Sequence, residues 1–329
     1  MRNIGNMSRT ISRAQWKMGC PADSCVITRR SGRGDADIFL NLQNQLDILR
    51  FLPRLISIPF KYNVFQFYFD LSLIPGSFDL PFLKMLGKKV FFWFCGCDVR
   101  NPQMVLKKYR YNGCRECSSR RCSPFRSSVI RMARWYADKI FYTTPDLAEF
   151  LPPEAIWLPV PVDLLQWSYQ KTLLTGKNKI KIAHAPTDRL IKGTGYLLQA
   201  IDLLKKKGYD VEPVLIENMP YEEVRKAAGS ADLAVDQLLI GSYGLFSAEM
   251  MALGKPVICY IRDDLKEKYP PGLPIISANR TNIFSVLKNL VDEREKWNKL
   301  GEQGRAYVEN VHDVNKICRQ LLKYYTEDV

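Results

Sequence analysis

Short apolar runs alternate with amphipathic helical stretches through most of this chain, and the alternation is interrupted by the proline-rich segment Leu158-Pro159-Val160-Pro161-Val162-Asp163. Strand, helix and strand in succession favour a parallel sheet covered by helices, because parallel neighbours need a crossover connection. Proline lacks the amide that a helix interior or a central strand uses, so the interruption reads as an interdomain connection. The expected division is an N-terminal domain over 1–162, a C-terminal domain over 163–311 and a terminal helix over 312–329 that packs back on the N-terminal domain. A chain of 329 residues suits two cores, at roughly 150 residues per domain. Two such domains imply a cleft.

In the first half, Arg9 to Met18 reads as a helix after the turn Gly5-Asn6, followed by a strand at Ser24 to Thr28. Val64 to Phe69 alternates as a strand, Asp79 to Leu86 is a short helix, and Lys88 to Phe94 is a buried strand. Ser127 to Ala137 is a helix before the strand Lys139 to Tyr142, and Thr144-Pro145-Asp146 opens another helix. No strand is readable before Gly5, so the first strand of this doubly wound domain is expected to be missing. In the second half, strands at 179–183, 212–216, 231–235 and 256–260 alternate with helices at 195–207, 221–228 and 246–253, and helices at 283–291, 292–311 and 313–325 complete the chain. Doubly wound sheets bind ligands outside the carboxyl ends of their strands, which directs attention to the loops there.

Composition narrows the function classes. A content of 47% hydrophobic and 25% charged residues is that of a globular protein. The longest apolar run, Val90 to Cys95, is far short of the roughly 20 residues that span a bilayer. The start lacks a secretory h-region, so a cytoplasmic location is expected, and the nine cysteines read as reduced thiols. The net charge of +14 is uneven, with 24 Lys/Arg against 13 Asp/Glu in residues 1–165. That excess attracts anions, whether nucleic acid, acidic lipid headgroups or an acidic glycan. No recognised nucleic-acid motif is present, so a nucleic-acid-binding role ranks last and no specific nucleic acid is expected. Peripheral contact with the cytoplasmic face of an anionic membrane is the expectation the basic half supports.

The most informative stretch runs from Gly241 through Gly244, Glu249 and Gly254 to Pro256-Val257-Ile258. Gly244 permits a tight turn and close backbone approach, and the amides of Leu245, Phe246 and Ser247 open a helix whose N terminus attracts a phosphate. Glu249 is expected in that helix's first turn, able to accept from ribose hydroxyls, and Gly254 caps the helix. An ordinary helix with an acidic first turn explains Glu249 alone equally well. The whole string is less ordinary: Glu249-Met250-Met251-Ala252-Leu253-Gly254-Lys255-Pro256-Val257 resembles the Glu-Ala-Met-Ala-x-Gly-x-Pro-Val ending of the retaining family 4 glycosyltransferases, the glycosyl transferases group 1 domain. That family carries a pair of glutamates; the second matches Glu249, and the first falls on Gly241.

A second constellation, His184 to Thr194, follows a strand and precedes a helix and includes Arg189, Lys192 and Gly193. Two cations three residues apart suit a diphosphate. The loop resembles the family's Arg-x-x-x-x-Lys-Gly motif with shorter spacing. His184 is expected to hold the loop or touch the donor rather than act as a base, and His312 is expected on the surface. In the first half, Phe94 to Arg100 resembles the family's His-Gly-Ser-Asp turn, with Cys95 in place of the His and Gly96 and Asp98 kept. With Arg100 and the Gly5-Asn6 turn, these residues are expected on the acceptor or sugar side. Cys114-Arg115-Glu116-Cys117 opens with a zinc-ligand spacing, and Cys114, Cys117 and Cys122, with Cys97 or else Cys95 as the fourth sulfur, are a possible structural zinc set. A basic cysteine-bearing loop is the plainer reading.

The resemblance implies a GT-B architecture of two Rossmann-like domains facing a cleft, with the donor on the C-terminal domain. It implies transfer from a UDP- or GDP-linked sugar to a glycan, lipid-linked or small-molecule acceptor with retention, in cell-surface polysaccharide or glycoconjugate synthesis, by a hexosyltransferase needing no metal cofactor. Arg189, Lys192 and Glu249 would be its catalytic residues. Gly241 motivates two rivals on the same fold, a sugar-nucleotide epimerase and a non-catalytic nucleotide-sugar-binding homologue.

Overall fold

The computed structural model describes residues 6–28, 36–41, 45–74, 76–117, 126–171 and 179–327. In chain order the helices are α1 (Met7–Lys17), α2 (Gln45–Lys61), α3 (Leu80–Met85), α4 (Pro102–Lys108), α5 (Gly113–Glu116), α6 (Arg126–Tyr136), α7 (Arg189–Lys192), α8 (Thr194–Lys206), α9 (Tyr221–Gly229), α10 (Leu245–Ala252), α11 (Ile283–Asp292), α12 (Trp297–Val311) and α13 (Val314–Thr326). The strands are β1 (Cys25–Thr28), β2 (Ile38–Asn41), β3 (Val64–Tyr68), β4 (Lys89–Phe94), β5 (Lys139–Tyr142), β6 (Ile156–Trp157), β7 (Ile180–His184), β8 (Val211–Leu215), β9 (Leu233–Val235) and β10 (Val257–Ile258). The chain divides into one unit of Met1–Asn101, Arg121–Pro161 and Val314–Val329, and a second of Pro102–Arg120 and Val162–Asp313.

The first unit is built on the parallel sheet β3-β4-β5-β6, with β1 and β2 forming a separate parallel pair. Its central strand β4 is apolar without alternation, as a strand covered on both faces must be; Val90, Phe91, Phe92, Trp93 and Phe94 are all fully buried. Side chains alternate across a strand. Val90, Phe92 and Phe94 therefore enter one layer with Ile58 of α2, Leu80 and Leu83 of α3, and Val129 and Ala133 of α6. Phe91 and Trp93 enter the other, with Met7 and Ile11 of α1 and Ile317 and Leu321 of α13. Each such side chain contributes about 1.5–3 kcal/mol on burial, so the five-residue run anchors both layers.

The second unit carries the parallel sheet β10-β9-β7-β8. Helix α8 presents Leu197, Ala200, Ile201 and Leu204 at helical spacing to the core, and α11 presents Ile283, Leu287 and Leu290. From β7 the chain moves to β8 on one side, and from β8 it crosses to β9 on the other. That reversal is a topological switch point, where the connections diverge and leave a crevice at the carboxyl ends of β7 and β9. The segment bearing α4 and α5 belongs to this unit, and α5 packs on α7 so closely that a β-carbon on Gly113 would stand 2.9 Å from Ile191 Cγ2.

Candidate functional site

His184 ends β7 and is fully buried. Its Nδ1 lies 2.7 Å from the Val235 carbonyl oxygen and its Nε2 lies 2.8 Å from Thr194 Oγ1. A carbonyl only accepts, so Nδ1 carries the proton and Nε2 accepts from the Thr194 hydroxyl. Burial lowers the imidazole pKa, which keeps the ring neutral. Both nitrogens are used inside the unit, and the ring ties the ends of β7 and β9 to the start of α8.

Beyond β7, Asp188 caps the four-residue helix α7 by accepting from the Leu190 and Ile191 amides, and Gly193 ends it in the left-handed conformation with φ +80°. The last residue of α7, Lys192, reaches the carboxylate of Asp236, with Nζ 2.7 Å from Oδ1. Asp236 directly follows β9, and its Oδ2 accepts from Ser247 Oγ at 2.7 Å and from the Gly244 amide at 3.2 Å. Burial alone raises the Asp236 pKa; the Lys192 charge and the hydrogen bonds from Lys192, Ser247 and Gly244 outweigh it and hold the group below its ordinary value. The switch point thus holds an ion pair of the buried Asp236 and the partly exposed Lys192 at the N terminus of α10. A β-carbon on Gly244 would stand 3.6 Å from Asp236 Oδ2 and 3.9 Å from Lys192 Nζ, so the missing side chain leaves the approach to that pair open. The first-turn amides of Leu245, Phe246 and Ser247 precede any intrahelical acceptor.

Arg189, at the other end of α7, forks onto Glu217, with Nε 2.9 Å from Oε1 and a second contact of 2.5 Å, and its side chain is 56% exposed. Glu249 lies in the second turn of α10 rather than the first, because the helix begins at Leu245. Its carboxyl is buried and accepts from the Tyr221 hydroxyl at 3.0 Å, and Tyr221 in turn accepts from Trp167 Nε1 at 2.9 Å. Burial, with the nearby Asp236 charge adding to it, pushes Glu249 up to about 8. Asp236 and Tyr221 were not selected from the sequence; an acidic residue immediately after a parallel strand was the available signal for Asp236.

Gly241 adopts φ +86°, and a β-carbon there would stand 2.5 Å from Arg262 Cγ. Arg262 donates its amide to the Gly241 carbonyl at 2.9 Å, pairs with Asp264 at 2.8 Å, and sets its guanidinium 3.7 Å above the Tyr109 ring.

In the first unit, Asp98 is buried at the turn after β4 and accepts from the Cys95 amide at 2.8 Å and the Gly96 amide at 2.5 Å. Burial raises its pKa to about 6. Arg100 Nε lies 2.8 Å from Oδ2 of Asp146, which sits in the short helical turn Pro145–Phe150 after β5. The Cys95 thiol donates to the Trp93 carbonyl at 3.4 Å, and burial pushes its pKa well up, so it remains a thiol. Asn6 precedes α1 with φ 62°; Gly5 lies outside the described residues.

Cys97 belongs to the first unit and Cys114 and Cys117 to the second, while Cys122 lies outside the described residues. Among the described residues no cluster of three or more His, Cys, Asp or Glu side chains is arranged for a metal. His312 is not on the surface: it is 1% exposed, with Nε2 2.9 Å from the Tyr243 hydroxyl. Its ring packs against the buried rings of Tyr243 and Tyr307, and its backbone carbonyl accepts from the Val162 amide. Among the described residues no helix is long and apolar enough to cross a membrane.

No protein-family model matches this sequence, and no curated protein sequence matches it. Solved structures do. Sucrose-phosphate synthase from Thermosynechococcus elongatus matches with a TM-score of 0.68 and 14% identity over 96% of this chain and 91% of that one. Anabaena HepE in complex with UDP matches with a TM-score of 0.62 and 10% identity over 97% and 95%. A glycosyltransferase from Rickettsia africae matches with a TM-score of 0.62 and 15% identity over 98% and 94%. At these identities the likeness establishes the fold, an α/β chain of the GT-B architecture.

Proposed function

We propose that this chain is a glycosyltransferase that takes a sugar from a UDP- or GDP-linked donor held by the second unit and passes it, with retention, to a glycan, lipid-linked or small-molecule acceptor. The observation that carries the reading is the Lys192–Asp236 pair at the β7/β9 switch point, set against the amide-rich start of α10. A diphosphate placed there meets one ammonium and the helix dipole, both of which favour the negative charge that grows as the nucleoside diphosphate departs. Asp236 has the opposite sign, and its role is to hold Lys192 and the Gly244 turn in place before the ligand arrives. Arg189 contributes by exchanging Glu217 for a phosphate oxygen, both groups being exposed enough to separate. Glu249, neutral at pH 7 and fixed by Tyr221, is assigned to the ribose side. Asn6, Cys95, Gly96, Asp98 and Arg100 are assigned to the acceptor. HepE, which shares the fold, has been crystallised with UDP-glucose.

The experiment is to incubate the purified chain with UDP- and GDP-sugars and a panel of acceptors. Nucleoside diphosphate released only with acceptor supports transfer, whereas an altered donor sugar supports epimerisation. The second reading, binding without turnover, is favoured by Gly241, where the loop has no room for an acidic side chain. Donor binding in the absence of release or rearrangement would establish it.

A further inference from the structure

Helix α3 is apolar on both faces. Leu80 and Leu83 are fully buried against β4 and its neighbours, while on the opposite side Phe82 is 46% and Met85 84% exposed, with Phe78 just ahead of the helix at 73%. Phe82 and Met85, three residues apart on α3, share its outer face, and Phe78 adds a third exposed apolar side chain in the turn that leads into the helix. A helix that needs only to cover a sheet has no use for such a face, and water disfavours it.

The neighbouring helices repeat the pattern. Both α2 and α6 send side chains into the same core layer as α3, through Ile58 and through Val129 and Ala133. The three helices therefore cover the same side of the sheet, and their outer surfaces look the same way. On α2 the outer residues Leu52, Ile56 and Phe60 are 43%, 58% and 67% exposed, spaced four apart. On α6 Trp135 is 66% exposed, with the Arg131 guanidinium 5.9 Å from its ring centre. The opposite side of the sheet, covered by α1 and α13, contributes Trp16 as its large exposed apolar residue.

Cations accompany the apolar residues. Lys61 closes α2 with its side chain 64% exposed, and Arg131 and Arg134 line α6, the latter 62% exposed. Asp23 and Glu154, their partners, sit in exposed pairs that are easily exchanged for another anion. The first 165 residues carry an excess of 11 positive charges in which this surface shares.

We propose that the outer surface of α2, α3 and α6 is an interfacial docking face for an anionic lipid bilayer. Phe60, Phe78, Met85 and Trp135 enter the boundary between headgroups and acyl chains, and Lys61, Arg131 and Arg134 meet the lipid phosphates around them. Exposed aromatic and Met side chains combined with positive charge suit this occupant: apolar burial supplies one part of the affinity and attraction to acidic headgroups the other. The proposal concerns a surface of the first unit, whereas the α10 site belongs to the second, and it stands whether or not the chain transfers sugar.

The test is flotation of the purified full-length chain with vesicles of phosphatidylcholine alone and of phosphatidylcholine with phosphatidylglycerol. The expected result is binding to the anionic vesicles that weakens as salt rises, and a partition coefficient lowered by at least about tenfold in the double variant Phe78→Ser/Met85→Ser. Its unfolding midpoint stays unchanged, because both side chains are exposed in the wild type. A charge variant, Arg131→Glu/Arg134→Glu, is expected to lose the preference for phosphatidylglycerol. Equal vesicle binding by wild type and Phe78→Ser/Met85→Ser overturns the proposal. So does a concentration-dependent oligomer that the same variant converts to monomer, since the face would then belong to a second copy of this chain.

Discussion

Arg262 occupies the space that a side chain on Gly241 would need, its Cγ standing 2.5 Å from the position of a built β-carbon. Gly241 is also left-handed at φ +86°, so two independent constraints exclude a larger residue. The loop at Gly241 is therefore shaped around Arg262, which is fixed by Asp264 and the Tyr109 ring. Gly241→Glu is expected to cost about 2–4 kcal/mol from strain and displacement of Arg262. Urea unfolding of the two proteins checks this, and a Glu variant as stable as the wild type would show that the loop tolerates the side chain.

Lys192 is expected to separate binding from folding. Lys192→Met leaves Asp236 buried without its cation, at a cost of about 3–5 kcal/mol. The double variant Lys192→Met/Asp236→Asn removes both charges and is expected to recover most of that stability. It should still bind UDP at least about tenfold more weakly than the wild type, because the ammonium on the phosphate is gone. Calorimetric titration with UDP and thermal melts of the three proteins distinguish the two effects; full UDP affinity in the double variant sinks the site assignment.

Much of this organisation could be read from residue order. The run Val90 to Phe94 has no polar interruption, so a strand buried on both faces was the natural reading, and α8 and α11 follow from their helical spacing. Helix α2 was not legible, because it contains Pro53 and Pro59, which ordinarily stop a helix. The four-residue helices α5 and α7 are too brief for periodicity to register. Within the site, the glycines and Lys192 were legible because backbone freedom and charge are properties of single residues. Asp236 was not, since its importance comes from β7 and β9 lying side by side, a consequence of strand order. Glu249 was legible as a residue but not as a titrating group, because its displacement to about 8 depends on burial around the second turn of α10.

That displacement sets a pH dependence. The folded Glu249 carboxyl holds its proton to about 8, against an ordinary value of 4.5. Between those values the folded chain binds a proton that the unfolded chain has released, so stability falls as pH rises through the window and levels off above about 8. Asp98, raised from 3.8 to about 6, adds a decline of the same sign below pH 6. Each group contributes a slope of up to about 1.4 kcal/mol per pH unit. Glu249→Gln is expected to match the wild type in melting temperature near pH 5 and exceed it at pH 8. Parallel melting curves across pH 5–9 for the two proteins would contradict the assignment.

The position of α10 rests on two glycines of α12. A β-carbon on Gly301 of α12 would overlap the carbonyl oxygen of Gly254, the residue that turns the chain out of α10, and one on Gly304 would stand 3.2 Å from Met251 Cβ. Backbone, unlike a flexible side chain, yields only by moving the whole helix. Gly301→Ala is therefore expected to destabilise the chain by about 2–4 kcal/mol and to weaken UDP binding, because α10 carries the amides and the Gly244 turn with it. Gly195 in α8 is the control. Its added β-carbon meets nothing within 4 Å, so Gly195→Ala is expected to be neutral or to stabilise by up to about 1 kcal/mol, leaving UDP affinity unchanged. Calorimetry on both variants decides whether α12 sets the helix position, which an unaffected Gly301→Ala protein would disprove.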